Sequence, residues 1–263
     1  MMKTDTLEQI AYELYLAERD VYEVTKFVEQ YPELTVETAY EIQAKLIELK
    51  CKHEQTTISG FKLGLTSKAK QQMMGVHEPS YGVLLANMAL NVQQPISLKS
   101  CIHPKIEPEV AFVFKEDLIG PVVTVAQVLT ATEYIAPAME IIDSRYLNFN
   151  FTLPDVIADN SSSSRYIVGS QKYTVSEVDL VNMGCIFSQN DEIIATSTAG
   201  SVMGHPARAI AWMANKLIAR GQHIRAGDVV LSGALTGSAT MRSGDSFSVS
   251  FDGMEPLSVQ VEL

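Results

Sequence analysis

Apolar side chains in the first fifty residues follow the spacing of amphipathic helices. They recur every three or four positions, which places them on one helix face. They are Leu7, Ile10, Ala11, Leu14, Ala17, Val21 and Val24, followed by Ala39, Ile42, Leu46 and Leu49. Tyr31-Pro32 interrupts the pattern, because a residue before proline disfavours the helical conformation. The pattern predicts two helices within an N-terminal region of residues 1–57.

From residue 58 onwards short β-prone runs dominate, bounded by Gly, Pro, Asn and Ser. They predict strands at 58–63, 106–114, 135–142, 166–169, 184–188, 228–232 and 246–251. Thr124 and Gln127 form a potential capping box for a helix reaching about Tyr134, and Pro206 suits the first turn of a helix ending near Gly221. We therefore expect an α+β protein with a strand-rich catalytic domain at 58–263.

Composition and charge limit the class of protein. Hydrophobic residues make up 46% of the 263 residues, which is enough for a packed core. The net charge of -11 and the lack of a basic stripe argue against nucleic acid as a partner. No apolar run approaches the roughly 20 residues needed to cross a bilayer, and the first residues do not read as a signal peptide. Three cysteines without a Cys-x-x-Cys pair favour a reducing compartment, so we expect a cytoplasmic protein.

Three glutamates stand in runs that are otherwise apolar. Glu107 and Glu109 lie two apart in a predicted strand, so both carboxylates point to the same side. Glu140 lies in a second apolar run at 135–142, where core packing does not explain an acid. A Glu-x-Glu pair alone also suits a solvated strand end, but the third acid favours one shared site. Oxygen ligands without His or Cys suit Mg²⁺ or Mn²⁺.

Lys62 lies between Gly60 and Gly64 in the first predicted strand. A lysine in such a run is costly unless it is paired or functional. From the residues alone, a lysine on the solvent-exposed face of an edge strand is an equally good interpretation.

Two further polar segments each have two interpretations. Residues 159–165 suit a polar turn or a source of hydroxyl donors for a carboxylate ligand. His205, before Pro206, suits a helix cap or a site residue, and the cap is the simpler interpretation.

Four motifs together carry a family resemblance: Lys62-x-Gly64-x-Thr66-Ser67, residues 103–109 (HPKIEPE), residues 140–146 (EIIDSRY) and Ala158-Asp159-Asn160. In this order they resemble the 4-oxalocrotonate decarboxylase and 2-hydroxypentadienoate hydratase family, within the fumarylacetoacetate hydrolase-like superfamily. The resemblance implies a barrel-like roll of mixed β-strands. In the loop 75–82 the family's acid beside the proline has no clear equivalent, since Glu78 is shifted by one position.

The resemblance also implies roles for individual residues. Glu107, Glu109 and Glu140 match metal-binding carboxylates, and Lys62 matches a catalytic lysine at the substrate. Ser162 matches a substrate-contacting position. Basic or hydroxyl-bearing candidates for the far wall of the pocket are Lys105, Arg145 and Ser162.

The implied reaction is the Mg²⁺- or Mn²⁺-dependent loss of CO₂ from 2-oxo-3-hexenedioate, giving 2-hydroxypenta-2,4-dienoate in meta-cleavage breakdown of aromatic compounds. The residues Asp143 and Lys105 favour the decarboxylases. A hydratase of the five-carbon dienol and a silent partner subunit of such a hydratase are the alternatives. A homo-oligomer and a complex with the pathway hydratase are the expected assemblies.

Overall fold

Two long helices open the chain, as the apolar spacing predicts. The computed structural model describes residues 2–73 and 76–263. Helix α1 spans Thr4–Asp20, the short α2 spans Phe27–Gln30 and α3 spans Val36–His53. The predicted apolar face does not extend to Val21, which ends α1 in a left-handed conformation and is 37% exposed.

The larger sheet has seven strands and carries the site. They are β1 (Ile58–Gly64), β2 (Ser80–Leu85), β4 (Lys105–Phe114), β5 (Thr132–Ile142), β6 (Ser163–Val168), β9 (Val229–Leu231) and β10 (Ala239–Thr240). Their order is β2-β1-β9-β4-β5-β6, with β10 beside β4. Strands β1 and β9 are parallel and the other neighbours are antiparallel, and the sheet curls into a half-barrel. The expected mixed, barrel-like α+β fold is confirmed.

A second sheet closes the other side of the core. It contains β3 (Ile96–Ser97), β7 (Gly184–Gln189), β8 (Glu192–Thr198), β11 (Ser246–Phe251) and β12 (Leu257–Glu262), in the order β3-β12-β11-β7-β8. Along β12 buried and exposed residues alternate, as expected for a sheet with one face on the core. The remaining helices are α4 (Lys68–Met73), α5 (Val125–Ala131), α6 (Leu153–Ala158) and α7 (Pro206–Ile218).

Helix boundaries follow local capping where the sequence predicts it. Thr124 and Gln127 form the capping box of α5, and His205 Nδ1 accepts a hydrogen bond from the Ala207 N–H at 3.0 Å at the start of α7. Helix α5 ends at Ala131 rather than near Tyr134, because the chain enters β5 at Thr132. The short strands β2, β3, β8, β10 and β12 are absent from the sequence prediction.

The N-terminal helices share one hydrophobic core with the sheets. Leu14 of α1 and Leu46 of α3 are buried in the same cluster as Phe112 of β4. The Gln43 amide on α3 donates to the carbonyls of Tyr81 and Ile157, each at 3.0 Å. The boundary between residues 57 and 58 therefore marks the change from the N-terminal helices to the first strand. A division of the chain into two domains at this point stays a prediction. Within residues 2–73 and 76–263, no helix has the length and apolar character needed to span a membrane.

Candidate active site

The three glutamates meet at the pairing of β4 with β5. Glu107 lies directly opposite Glu140 in this antiparallel pair, and Glu109 lies two residues further on the same face of β4. One carboxylate oxygen from each residue falls within 4.8 Å of the others. Glu107 is 8% exposed, and Glu109 and Glu140 are fully buried, so the acids do not lie at a solvated strand end.

Lys62 reaches this cluster from β1. Its Nζ lies 3.1 Å from Oε1 of Glu140 and donates to Oε2 at 3.2 Å. The residue is 3% exposed, and β1 lies inside the sheet between β2 and β9. The alternative of a surface lysine on an edge strand is therefore wrong.

Two of the three glutamates, Glu109 and Glu140, have raised pKa values. Burial and the charges of Glu140 and Glu107 raise the pKa of Glu109 well above its usual value. Burial also raises the pKa of Glu140, although the Lys62 ammonium opposes that shift. Oε2 of Glu109 accepts from the Gly233 N–H at 2.7 Å, while its Oε1 is buried without a hydrogen-bond partner in the described part of the chain. Converging carboxylates with an unpaired, buried Glu109 oxygen fit a hard divalent cation.

A cavity of about 340 Å³ opens beside the cluster. Of the residues that the sequence analysis selects, it is lined by Lys62, Lys105, Glu107 and Ser162. The apolar part of its wall comprises Leu65, Ile142, Phe149, Phe151 and Val156. One wall thus carries charge and another is apolar, which suits a small organic acid.

The serine-rich segment is a buried wall of this cavity rather than a solvated turn. Asn160, Ser161 and Ser162 are consecutive non-glycine residues with φ of 48°, 53° and 56°, a strained left-handed backbone. The Asn160 side chain holds them by accepting from the Val83 N–H at 2.8 Å and donating to its carbonyl at 2.9 Å. The Ser162 hydroxyl is buried and has no hydrogen-bond partner among the described residues, so it is available to a ligand.

Arg145 has a different place from the one expected. It is 1% exposed, forms a salt bridge with the Asp159 carboxylate through Nε and donates from Nη2 to the Asp159 carbonyl at 2.8 Å. It is absent from the described residues that line the cavity. The expected contact of Arg145 with the far end of the substrate has no support here, because its side chain instead joins the segment before α6 to Asp159 at the C-terminal end of that helix.

Lys105 lines the cavity and lies against an aromatic ring. Its Nζ is 3.7 Å from the centroid of the Phe149 ring. Phe149 belongs to an irregular loop that the N-terminal region supports. Glu23 Oε1 accepts from the Asn148 N–H at 2.8 Å and lies 2.5 Å from Nε2 of His103.

Several cavity residues have no distinctive sequence pattern. Ser80, Ser238, Phe149 and Phe151 line the cavity without being predicted to do so, whereas Ser161 belongs to the segment 159–165 that is predicted as a source of hydroxyl donors. Phe149 and Phe151 begin three residues beyond the EIIDSRY motif, and this aromatic pair is the signal in the sequence that could have identified them as cavity residues.

The loop 75–82 supplies no acid to the cavity among the described residues. Gly75 lies outside the described residues. Glu78 instead forms an ion pair with Lys216 at 2.8 Å.

Comparison with known proteins agrees with the fold. Residues 58–262 match the family model of the fumarylacetoacetate (FAA) hydrolase C-terminal region, and the chain belongs to this family. It is 38% identical to a 4-oxalocrotonate decarboxylase of Pseudomonas sp. (strain CF600), with 97% of both chains covered. It is 37% identical to a 2-hydroxyhexa-2,4-dienoate hydratase of Comamonas testosteroni, again over 97% of both chains.

A solved structure is similar over nearly the whole chain. The 4-oxalocrotonate decarboxylase from Pseudomonas putida G7, complexed with magnesium and adipate, superposes with a TM-score of 0.93. The two chains are 34% identical, and 99% of each is covered. The resemblance noted in the sequence is therefore confirmed.

Proposed function

We propose that this protein decarboxylates 2-oxo-3-hexenedioate to 2-hydroxypenta-2,4-dienoate and CO₂, in the meta-cleavage degradation of aromatic compounds. The observation that carries the proposal is a cavity lined by two buried or partly buried lysines beside a cluster of three glutamates. Lys62 pairs with Glu140 of that cluster, and Lys105 supplies a second positive charge to the lining next to Glu107. The relatives named for this activity cover nearly the whole chain.

Glu107, Glu109 and Glu140 would hold a divalent cation, with Mg²⁺ preferred and Mn²⁺ as the alternative. The unpaired Glu109 oxygen and the raised pKa values of Glu109 and Glu140 fit this assignment, because a cation would compensate the buried negative charge. When bound, the cation supplies Lewis-acid stabilisation of negative charge on the 2-oxo acid group.

In the reaction, the bond between C5 and C6 breaks and C6 leaves as CO₂. The electron pair forms a C4–C5 double bond, shifts the C3–C4 double bond to C2–C3 and ends on the C2 oxygen, which then takes up a proton. The Lys62 ammonium adds positive charge beside this end of the substrate and is the candidate for moving the proton.

The apolar wall would act on the departing group. Phe151, Val156 and Ile142 provide a poorly hydrated surface. Such a surface favours neutral CO₂ over a carboxylate and so lowers the barrier to its loss. Ser162, with its buried unpaired hydroxyl, would donate a hydrogen bond to the substrate.

A hydratase is the second candidate, since relatives of that activity are almost as similar as the decarboxylases. The test is to incubate the purified protein with Mg²⁺ and either the six-carbon oxo-acid or the five-carbon dienol. We expect CO₂ release from the first and no water addition to the second, with Glu107→Gln as the inactive control. Hydration without CO₂ release would overturn the proposal.

The setting of the enzyme is also part of the proposal. We expect a cytoplasmic protein, because Cys51, Cys101 and Cys185 are free thiols. A homo-oligomer and an association with the hydratase that consumes the dienol product remain predictions. Light scattering of the purified protein, alone and mixed with that hydratase, measures both.

A further inference from the structure

The ammonium group of Lys105 is held by a ring rather than by an acid. Its Nζ lies 3.7 Å from the centre of the Phe149 ring, a cation–π distance. Within residues 2–73 and 76–263, no carboxylate forms an ion pair with Lys105. Its charge is therefore still available to an anion that enters the cavity.

Phe149 is fixed in place by several independent contacts. Asn148 and Phe149 adopt left-handed φ values of 56° and 57°, which turn the ring back towards β4. Glu23 accepts from the Asn148 N–H, and the His103 ring meets the Phe149 ring edge-on at 6.2 Å. Phe151 packs beside it with ring centroids 5.4 Å apart. These contacts hold the partly buried Phe149 ring in one position against Lys105.

Without the ring, Lys105 would have a competing partner. Lys105 and Glu107 are two residues apart on the same face of β4, and both line the cavity. A flexible lysine there can turn towards the Glu107 carboxylate and neutralise one member of the glutamate cluster. The ring face holds the ammonium away from the cluster at little cost in desolvation.

The spacing along β4 suits a six-carbon dicarboxylic acid. Two strand residues span roughly 7 Å at about 3.4 Å each. The two carboxylates of an extended six-carbon diacid are roughly 6 Å apart, since five carbon–carbon bonds of about 1.5 Å separate them. One carboxylate can therefore lie at the glutamate cluster while the other reaches Lys105.

We propose that Phe149 is a positioning residue that holds Lys105 as the receptor for the second carboxylate of the substrate. Phe149 thereby sets the preference of the cavity for dicarboxylic over monocarboxylic acids. The inference rests on the proposed function, and it names the contact that distinguishes the substrate of a decarboxylase from the monoanion of a hydratase.

The experiment measures binding of adipate and of hexanoate to the Mg²⁺-saturated protein by calorimetry. The two acids have the same length but differ by one carboxylate. Phe149→Leu keeps an apolar side chain and removes the ring face. We expect it to weaken adipate binding more than hexanoate binding, by a further factor of about 2 to 30, the range of a cation–π contact. Phe149→Tyr should restore the adipate preference.

Tyr134→Leu is the matched control, because the Tyr134 ring holds Lys172 at 4.2 Å and neither residue belongs to the described cavity lining. It should leave both affinities unchanged. Equal weakening of both acids by Phe149→Leu, or no weakening of adipate, would overturn the inference. Because binding is measured without turnover, a Phe149-dependent preference for adipate would stand even if no CO₂ were released and the proposed reaction failed.

Discussion

Replacing Lys62 with methionine tests the centre of the site. Methionine has a similar length and no charge, so Lys62→Met removes the ammonium that lies 3.1 Å from Glu140 and leaves most of the buried volume filled. We expect a large fall in kcat with little change in Mg²⁺ affinity. Affinity can even rise, since the ammonium repels a cation at the same cluster.

The structure sets the size of both effects. Two unit charges at this separation attract by about 5 kcal/mol at an effective dielectric constant of about 20, before desolvation is subtracted. Removing one partner of a buried pair costs about 3–5 kcal/mol of stability. In the Mg²⁺-bound protein the cation compensates Glu140, so most of this loss should disappear. Loss of a positioned charge and proton donor should lower kcat by about 10²- to 10⁴-fold.

Lys50→Met is the control, because Lys50 is also 3% exposed and its Nζ lies 2.6 Å from a glutamate, Glu18, away from the described cavity lining. The assays are CO₂ release at saturating Mg²⁺, calorimetry of Mg²⁺ binding, and urea unfolding with and without Mg²⁺. The control should lose stability in both conditions and keep its kcat. Near-normal turnover of Lys62→Met would refute the assigned role.

Three other changes test the glutamate cluster. Glu107→Gln should lower kcat/KM by about 10³-fold or more with an unchanged circular dichroism spectrum, because a metal ligand is lost but the strand remains; activity above a tenth of normal would exclude it as a ligand. A raised pKa means that the folded protein binds the Glu109 proton more tightly than the unfolded chain does, so this residue costs stability as pH rises above its usual pKa of 4.5. In the metal-free protein, thermal unfolding should show a Tm that falls as the pH rises above about 5, less steeply in Glu109→Gln, and an identical slope in both proteins would contradict this. Gly233→Ala should weaken Mg²⁺ binding and lower the free energy of unfolding by about 1–3 kcal/mol, because the φ of Gly233 is +105° and an added Cβ would lie 2.5 Å from Thr66. A Cβ added at Gly237 meets open space, so Gly237→Ala should change neither Mg²⁺ binding nor stability.

The acids of the site were predictable from strand periodicity. Alternation along one strand places Glu107 and Glu109 on one face, and a lone acid in an apolar run identifies Glu140. Their convergence depends on the register of β4 against β5, which sets Glu107 opposite Glu140. Pairing between segments so far apart in sequence is decided by the whole sheet and is not visible in either run alone.

The predictions that failed or stayed open depend on where a strand lies in the sheet and on which way a side chain points. The same local pattern suits Lys62 on an edge or inside a sheet, and only its neighbours β2 and β9 distinguish the two. Arg145 belongs to a motif of the resemblance, but its side chain turns towards Asp159. Phe149 lies in a loop without periodicity, so no pattern in the sequence connects it with Lys105.

The first 57 residues are more than a helical appendage, because Glu23 reaches across to the loop that carries Phe149. The matched family region begins at residue 58, so it contains the three glutamates and Lys62 but not this support. A protein shortened to residues 58–263 would keep its metal ligands and lose the acceptor that fixes Asn148 and His103. An N-terminal segment without an acceptor at position 23 would therefore leave the loop that carries Phe149 less firmly held, even though every metal-binding candidate lies elsewhere in the chain.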